Sequence, residues 1–411
     1  MSDITLHIGD VFEQLAKIPD GSIDLIVTSP PFLALRSYLP DDHPDKGKEI
    51  GSESGPAAFL DTMLALTAEW GRVLAPHGSL CVELGDTYSG SGGAGGDYNA
   101  DGLRDGQQRF SGSAAKRAAL GSGDNERPSR SGRGDDWPMS KSKTMLDTLY
   151  PACLAYGANL LSGAASPAGR WRIRNLIVWA RPNPPVGALG DKFRPATSYM
   201  TIATPYGKRY FDLDSVRTPG ENAATRRVGA KSGASHLTPR ERGDVRPGEH
   251  PAGAPPLDYW VIPTAPYSGS HYAVYPPALC ERPIKSMVPA KVCTVCGAPS
   301  ERITSEPEYV KPDGSLHPLP GGHEFEPGIV NRREVTGRDN GNMTRSTTTI
   351  GWSQCECPDD GTKWRNGVVL DPFAGSGTTL MVANELERDA VGFDIDARNA
   401  TLARQRVDKF M

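Results

Sequence analysis

The chain is poor in cysteine, with seven in 411 residues. So few thiols, unevenly spaced, cannot make a disulfide scaffold, so the expected setting is a reducing one inside the cell, where paired cysteines bind metal. No window approaches 18 consecutive apolar residues, and the start, Met1-Ser2-Asp3-Ile4, lacks the basic and apolar stretches of a signal peptide. Both absences argue against membrane insertion and export. Charge of one sign is missing too: 45 Lys+Arg stand against 49 Asp+Glu, a net of −4 that does not advertise a polyanionic partner. There is no internal repeat. What the chain has in excess is glycine and proline, 46 and 36 residues. Together they stay below the ~25–30% that marks low-complexity chains, so long loops are expected inside a globular protein. The length predicts two or three domains, and 37% apolar residues supply a core.

Short apolar runs that read as buried strands occupy 4–8, 24–28, 79–84, 175–180, 368–371 and 390–394. Phe59, Leu60, Met63, Leu64, Leu66, Trp70, Val73 and Leu74 recur at helical spacing before Pro76-His77-Gly78, and 380–387 reads as another helix. Strands alternating with helices predict a parallel sheet covered on both faces. Two stretches break the pattern: 89–143, rich in Gly, Ser and Arg, and 221–256, where Arg226, Arg227, Lys231, Arg240, Arg242 and Arg246 sit among Gly, Pro and Ala. Both read as long loops.

Near the end of the chain, Val368-Val369-Leu370-Asp371 runs into Pro372-Phe373-Ala374-Gly375-Ser376-Gly377-Thr378-Thr379, an apolar strand followed by a glycine-rich turn that opens a helix. Glycine lets such a turn bring backbone close to a ligand, and the helix start offers N–H groups to an anion such as a carboxylate. Asp394 lies 19 residues after Gly375, where a doubly wound fold places a carboxylate for ribose hydroxyls. No lysine follows the glycines, which argues against a nucleoside triphosphate, and Leu380 stands where a dinucleotide site has a third glycine. A nucleoside without those features is the expected ligand.

At the other end, Asp24-Leu25-Ile26-Val27-Thr28 leads directly into Ser29-Pro30-Pro31-Phe32. Two prolines remove two N–H donors and stiffen the backbone, leaving carbonyl acceptors beside a hydroxyl and an aromatic ring. This suits a planar group bearing an amine: one N–H to Ser29 Oγ, another to the Pro30 carbonyl, and the ring stacked on Phe32. Such bonds aim the nitrogen lone pair at an electrophile. By itself the motif reads equally well as a strand-terminating turn with a core phenylalanine.

Taken together, Asp371 to Thr379 and Thr28 to Phe32 resemble the motifs of the amino-DNA methyltransferases. The likeness extends to Ile8-Gly9-Asp10, to 72–80, to 174–184 and to His271-Tyr272-Ala273-Val274-Tyr275-Pro276-Pro277. The catalytic motif precedes the cofactor motif, the permuted order of the β class. The resemblance implies a Rossmann-like class I methyltransferase fold with a mostly parallel, seven-stranded sheet. It implies S-adenosyl-L-methionine as cofactor, its methionine part held by the loop from Asp371 through Thr379, its ribose by Asp394 and its adenine near Asp10. The segment 271–277 would wall the methionine end. Double-stranded DNA is the implied partner, a cognate restriction endonuclease a further one, and the protein a monomer or homodimer in the cytoplasm of a prokaryotic or phage-infected cell. Family members with Ser-Pro-Pro-Phe are mostly cytosine-N4 enzymes, so the expected reaction is site-specific methylation of cytosine N4 in DNA by base flipping and direct SN2 transfer. Adenine-N6 methylation is the alternative, and a non-catalytic DNA-binding specificity protein with the same fold is another.

Resolved along the chain, the small net charge separates into regions. Residues 1–88 carry 5 basic and 14 acidic side chains, residues 170–246 carry 15 and 6, and residues 109–143 carry 8 and 4. Basic loops of this kind track phosphates. Arg36 and Tyr38, just after the Pro-Pro motif, are candidates for touching the target strand. Cys293-x-x-Cys296-Gly297 has the spacing of a zinc knuckle, and Cys355-x-Cys357 completes a four-sulfur set for a small zinc-ribbon-like insertion. Cys81, Cys153 and Cys280 read as packed thiols. The expected organisation is a catalytic half at 1–88, a loop at 89–143, more of the sheet at 144–220 and a basic target-recognition loop at 221–256. It continues with a return to the core at 257–290, the cysteine insertion at 291–365 and the cofactor half at 366–411.

Overall fold

Ile23–Thr28 is buried at all six positions, which requires a strand covered on both faces. It is the second of ten strands among the described residues of the first of two units. That unit comprises Met1–Phe211, Asp258–Pro299 and Cys357–Met411, and the other comprises Asp212–Leu257 and Ser300–Glu356. The computed structural model describes residues 2–35, 38–39, 42–89, 136–184, 192–217, 255–264, 275–305, 308–310, 316–317, 344–346, 348–359 and 361–408. Most of the loops 89–143 and 221–256, together with Arg36 and residues 271–274, lie outside the described residues.

The strands of the first unit are β1 (Ile4–Ile8), β2 (Ile23–Thr28), β3 (Leu74–Leu84), β4 (Arg172–Ala180), β5 (Thr197–Thr204), β6 (Tyr259–Val261), β7 (Lys291–Cys293), β8 (Trp364–Asn366), β9 (Val368–Asp371) and β10 (Asp389–Asp394). Its helices are α1 (Val11–Leu15), α2 (Pro56–Val73), α3 (Leu146–Tyr156), α4 (Pro277–Met287), α5 (Thr378–Glu385) and α6 (Ala397–Asp408).

Among the described residues, eight strands form one sheet in the order β1-β10-β9-β2-β3-β5-β4-β6. Only β5 opposes its neighbours, so the sheet is mostly parallel. The expected seven strands are therefore corrected to eight. The extra one, β6, is three residues long, too short for periodicity to reveal. It pairs with the outer edge of β4, and Trp179 Nε1 donates to the Ile262 carbonyl at 2.8 Å beside it.

Alternation along β2 divides the core. Ile26 packs on the face covered by α1, α2 and α3, while Leu25 and Val27 pack on the face covered by α4, α5 and α6. Helix α2 starts on Pro56, whose missing N–H costs nothing at a helix start, and buries the apolar stripe from Phe59 to Val73. The helix yields to β3 at Leu74, so Pro76-His77-Gly78 lies within a strand that starts five residues before the expected Ser79. Helices α3 and α4 each contain a proline, Pro151 and Pro283, which hides them from a pattern search. Among the described residues no helix is long and apolar enough to cross a membrane.

The second unit consists of short antiparallel pairings. Residues 302–304 pair with 349–352, and 308–310 lie between 316–317 and 344–346. Arg302 anchors the first pairing by bonding Asp212 Oδ2 at 2.8 Å and lying over the Trp352 ring.

Candidate active site

The chain leaves β9 through α5 toward β10, and leaves β2 through α2 toward β3, in opposite directions across the sheet. Such a switch opens a crevice at the carboxyl ends of the strands. Both sequence motifs end there, Ser29 after β2 and the glycine-rich loop after β9. A cleft of about 830 Å³, open mouth included, lies at this edge. Its walls include Asp10, Ser29, Pro31, Gly375, Asp394 and Tyr275.

On the β9–β10 side, Pro372, Phe373, Ala374, Ser376 and Thr378 also line the cleft. Gly377 precedes α5 with φ +77°, and a Cβ there would come within 2.9 Å of Ala403 Cβ, so only glycine closes this turn against α6. The carboxylate of Asp394 accepts from Gly375 N at 2.9 Å through Oδ2, and from Asp396 N and Asn399 Nδ2 at 2.8 and 3.0 Å through Oδ1. Three bonds leave acceptor capacity on Oδ2 for a further donor. Burial pushes the Asp394 carboxyl up to about 6, against the pull of those donors. Asp10 caps α1, its Oδ1 accepting from Phe12 N and Glu13 N at 3.0 and 3.1 Å.

Asp371, Gly377 and Thr379 were expected to touch the cofactor, yet they are not among the residues lining the cleft. Asp371 accepts from Thr28 Oγ1 at 2.7 Å, Phe373 N at 3.1 Å, Thr379 Oγ1 at 2.6 Å and the Tyr275 hydroxyl at 3.0 Å. Those four bonds use the capacity of a carboxylate. Asp371 thus ties β9 to β2, to α5 and to the residue range before α4, a supporting position behind the cleft. Of the segment expected to wall the methionine end, Tyr275 is described and does line it.

On the β2 side, the Ser29 hydroxyl donates to Glu83 Oε2 at 2.6 Å. Glu83 sits on β3 next to the motif strand and is buried. Burial raises its carboxyl above the usual range, and the Ser198 hydroxyl, the Ser29 hydroxyl and the Arg181 charge draw it back. Glu83 is a site residue that the sequence signals only as a lone acid in the strand Ser79-Leu80-Cys81-Val82-Glu83-Leu84. Pro31 lines the cleft, whereas Pro30 and Phe32 do not. The half-buried Phe32 ring lies over Gly85, where a Cβ would fall 2.4 Å from Cε2. Beyond the motif, Tyr38, Lys48, Glu49 and Ile50 close one side of the cleft. Glu49 pins this segment by accepting from the Tyr38 and Leu39 N–H groups, both at 2.5 Å.

Away from the cleft, the sulfurs of Cys293, Cys296, Cys355 and Cys357 lie within 4.8 Å of one another. Cys81, Cys153 and Cys280 are buried.

A sequence model of the N6/N4 DNA methylase family matches residues 23–291 and 358–405. The chain is 22% identical to the Type II methyltransferase M.SmaI of Serratia marcescens over 400 residues, covering 97% of this chain and 89% of that protein. It is 26% identical to the Type II methyltransferase M.Cfr9I of Citrobacter freundii over 279 residues, or 68% and 71% of the two chains. Among solved structures, the PvuII DNA methyltransferase (cytosine-N4-specific) aligns with a TM-score of 0.45 and 15% identity, covering 99% of this chain and 86% of that one. With its two motifs facing one cleft and the family pattern running through both, this chain belongs to the N6/N4 DNA methylase family.

Proposed function

We propose that the protein methylates the exocyclic N4 amine of cytosine at a defined site in double-stranded DNA, using S-adenosyl-L-methionine and a base flipped out of the helix. The observation that carries this reading is that Ser29 and the Gly375–Asp394 pair line one cleft. The cleft suits the cofactor. Asp394 retains acceptor capacity for ribose, and the α5 N-terminus, which the glycine-rich loop opens, offers N–H groups to a carboxylate. The cofactor supplies a methyl group on a positively charged sulfur.

The remaining chemistry falls to the protein. Because the Ser29 proton is committed to Glu83, the lone pairs of Ser29 Oγ accept one N–H of the amine. The Pro30 carbonyl accepts the other, and Phe32 offers its ring to the base. These bonds hold the nitrogen lone pair out of conjugation and in line for attack. The nitrogen carries one proton too many once methylated. That proton passes to Ser29 Oγ as the serine proton moves to Glu83 Oε2, toward a carboxylate whose affinity for protons burial has raised. Cytosine is preferred to adenine in this reading because a Pro-Pro motif opened by serine is found mostly in the cytosine-N4 enzymes that the chain resembles.

A structural zinc ion at Cys293, Cys296, Cys355 and Cys357 belongs to the same reading, supported by the sulfur spacing. So do a basic target-recognition region, a cytoplasmic location and, given the Type II relatives, a cognate restriction endonuclease.

The test is to incubate the protein with S-adenosyl-L-methionine and duplex DNA, digest to nucleosides and identify the modified base by mass spectrometry. N4-methylcytosine is expected. N6-methyladenine overturns the base assignment, and an absence of any methylated base overturns the reading.

A further inference from the structure

Four cysteines, 64 residues apart from first to last, fall within 4.8 Å in a segment that the family pattern leaves out, 292–357. We propose that one zinc ion held by Cys293, Cys296, Cys355 and Cys357 fixes a two-stranded ribbon through which Arg365 grips Asp24, coupling the metal to β2, the strand that runs into Ser29. This rests on the zinc part of the preceding reading and is independent of methyl transfer.

The donor set points to zinc. Four thiols without a carboxylate or carbonyl ligand select a soft, tetrahedral ion over magnesium or calcium. Zinc–sulfur bonds of ~2.3 Å put tetrahedral sulfurs roughly 3.8 Å apart, so the observed cluster needs only a small contraction. The knuckle is already formed by the backbone. Gly297 N donates to the Cys293 carbonyl at 2.9 Å, Cys293 N donates to the Ala298 carbonyl at 2.9 Å, and Gly297 takes φ +70°. Four thiolates around a dication leave two excess negative charges. The buried Lys363 lies in this region, its Nζ donating to the Cys357 carbonyl at 2.8 Å, and supplies a compensating charge.

From the knuckle the ribbon leads to the sheet. Strands β7 and β8 are antiparallel, with Trp364 opposite Cys293 and Arg365 opposite Val292. Thr294 N extends the pairing to the Lys363 carbonyl at 2.8 Å. Three residue pairs make a marginal ribbon when nothing holds the ends. Arg365 Nη1 and Nη2 donate to Asp24 Oδ2 and Oδ1 at 2.6 and 3.1 Å. Asp24 is fully buried on β2, five residues before Ser29, and also accepts from Val368 N at 2.7 Å while bonding His77 Nε2 at 2.7 Å. One carboxylate therefore joins the metal-bearing ribbon to β2, β3 and the start of β9. Releasing the ion frees the ribbon, moves Arg365 and leaves the Asp24 charge under-compensated.

The experiment uses the full chain purified under reducing conditions, with zinc measured by elemental mass spectrometry and thiols by titration. One zinc per chain and no disulfide are expected. Refolding with cobalt(II) in place of zinc should give the intense sulfur-to-metal and visible bands of a tetrahedral thiolate site. Cys293→Ser and Cys296→Ser should each remove that spectrum. Reduced protein without metal, two disulfides, or only the faint bands of an octahedral cobalt complex would overturn the site. For the coupling, a chelator should lower the melting temperature of the wild-type protein. In Arg365→Ala, which keeps its zinc, that drop should shrink by at least half. Equal drops in the two proteins would overturn the coupling and leave the metal site standing.

Discussion

The Ser29 hydroxyl gives its proton to Glu83 Oε2 across 2.6 Å, from the end of β2 to the adjacent β3. The bond decides which part of the serine faces the cleft. With the hydrogen turned toward a buried carboxylate, the oxygen offers lone pairs to an incoming amine.

Replacing Glu83 by Gln keeps the size of the side chain but removes a proton acceptor. Turnover should fall on the order of 10²-fold, as for loss of a general base, while cofactor affinity stays within about twofold. Ser29→Ala should show the same split. Single-turnover kinetics with saturating cofactor, alongside calorimetric titration of the cofactor, separate the two quantities. A parallel loss of affinity in both variants would remove them from the base side of the site.

Asp394 should give cofactor binding a pH dependence. A ribose hydroxyl donates only to the ionised carboxylate, so affinity should weaken as pH falls through about 6. The unliganded fold responds in the opposite direction. A carboxyl raised from 3.8 to about 6 contributes stability below 3.8 that is lost as pH rises through 6. Asp394→Asn should flatten the binding profile, and Asp394→Ala should weaken binding by roughly 10- to 100-fold, the loss of a charge-assisted hydrogen bond. Calorimetry between pH 5 and 8, about one unit below and two above that value, checks both.

Gly85→Ala should act on the base and not on the cofactor. The new Cβ would sit 2.4 Å from Phe32 Cε2, so the ring must move. Overpacking of this kind costs about 1–3 kcal/mol. The expected result is a raised KM for DNA and an unchanged cofactor dissociation constant. An unchanged KM for DNA would show that the Phe32 ring does not contact the base.

Arg365→Ala should destabilise the fold by about 3 kcal/mol, because it strands a buried carboxylate. Burial alone raises the Asp24 carboxyl, but hydrogen bonds from His77 and Arg365 and their charges bring it below 3.8. That contribution is present above 3.8 and disappears as pH falls through the depressed value. In the variant the loss should begin at higher pH. Urea unfolding at stepped pH values measures it, and identical pH profiles for the two proteins would show that Arg365 does not hold the charge.

Much of the sheet was legible because each buried strand is a local apolar run, as at 24–28 and 368–371. The helix from Pro56 was legible because its buried stripe repeats at helical spacing. Strand β5, Thr-Ser-Tyr-Met-Thr-Ile-Ala-Thr, mixes polar and apolar residues without a clear period, and helices α3 and α4 contain proline, so their existence depends on the surfaces they pack against. The acceptor role of Ser29 was readable from the motif. Its orientation was not, because Glu83 is 54 residues away.

Residue order alone therefore determined the chemical types at the two ends of the cleft: a hydroxyl with a stiff, donor-poor backbone, and a glycine turn with an acid 19 residues on. Such features lie within a few residues of one another or at a spacing imposed by one strand–helix–strand unit. Tertiary structure decided what each acid does. Asp371 and Asp394 both end strands of the same sheet, yet four internal donors saturate the first, while the second keeps capacity toward the cleft. Glu83, unremarkable in the chain, became the partner of Ser29 because parallel β2 and β3 bring distant segments side by side, and Asp24 that of Arg365 because β8 leads into β9, which pairs with β2. The charge an acid keeps, and the group it serves, depend on neighbours that only the folded chain supplies.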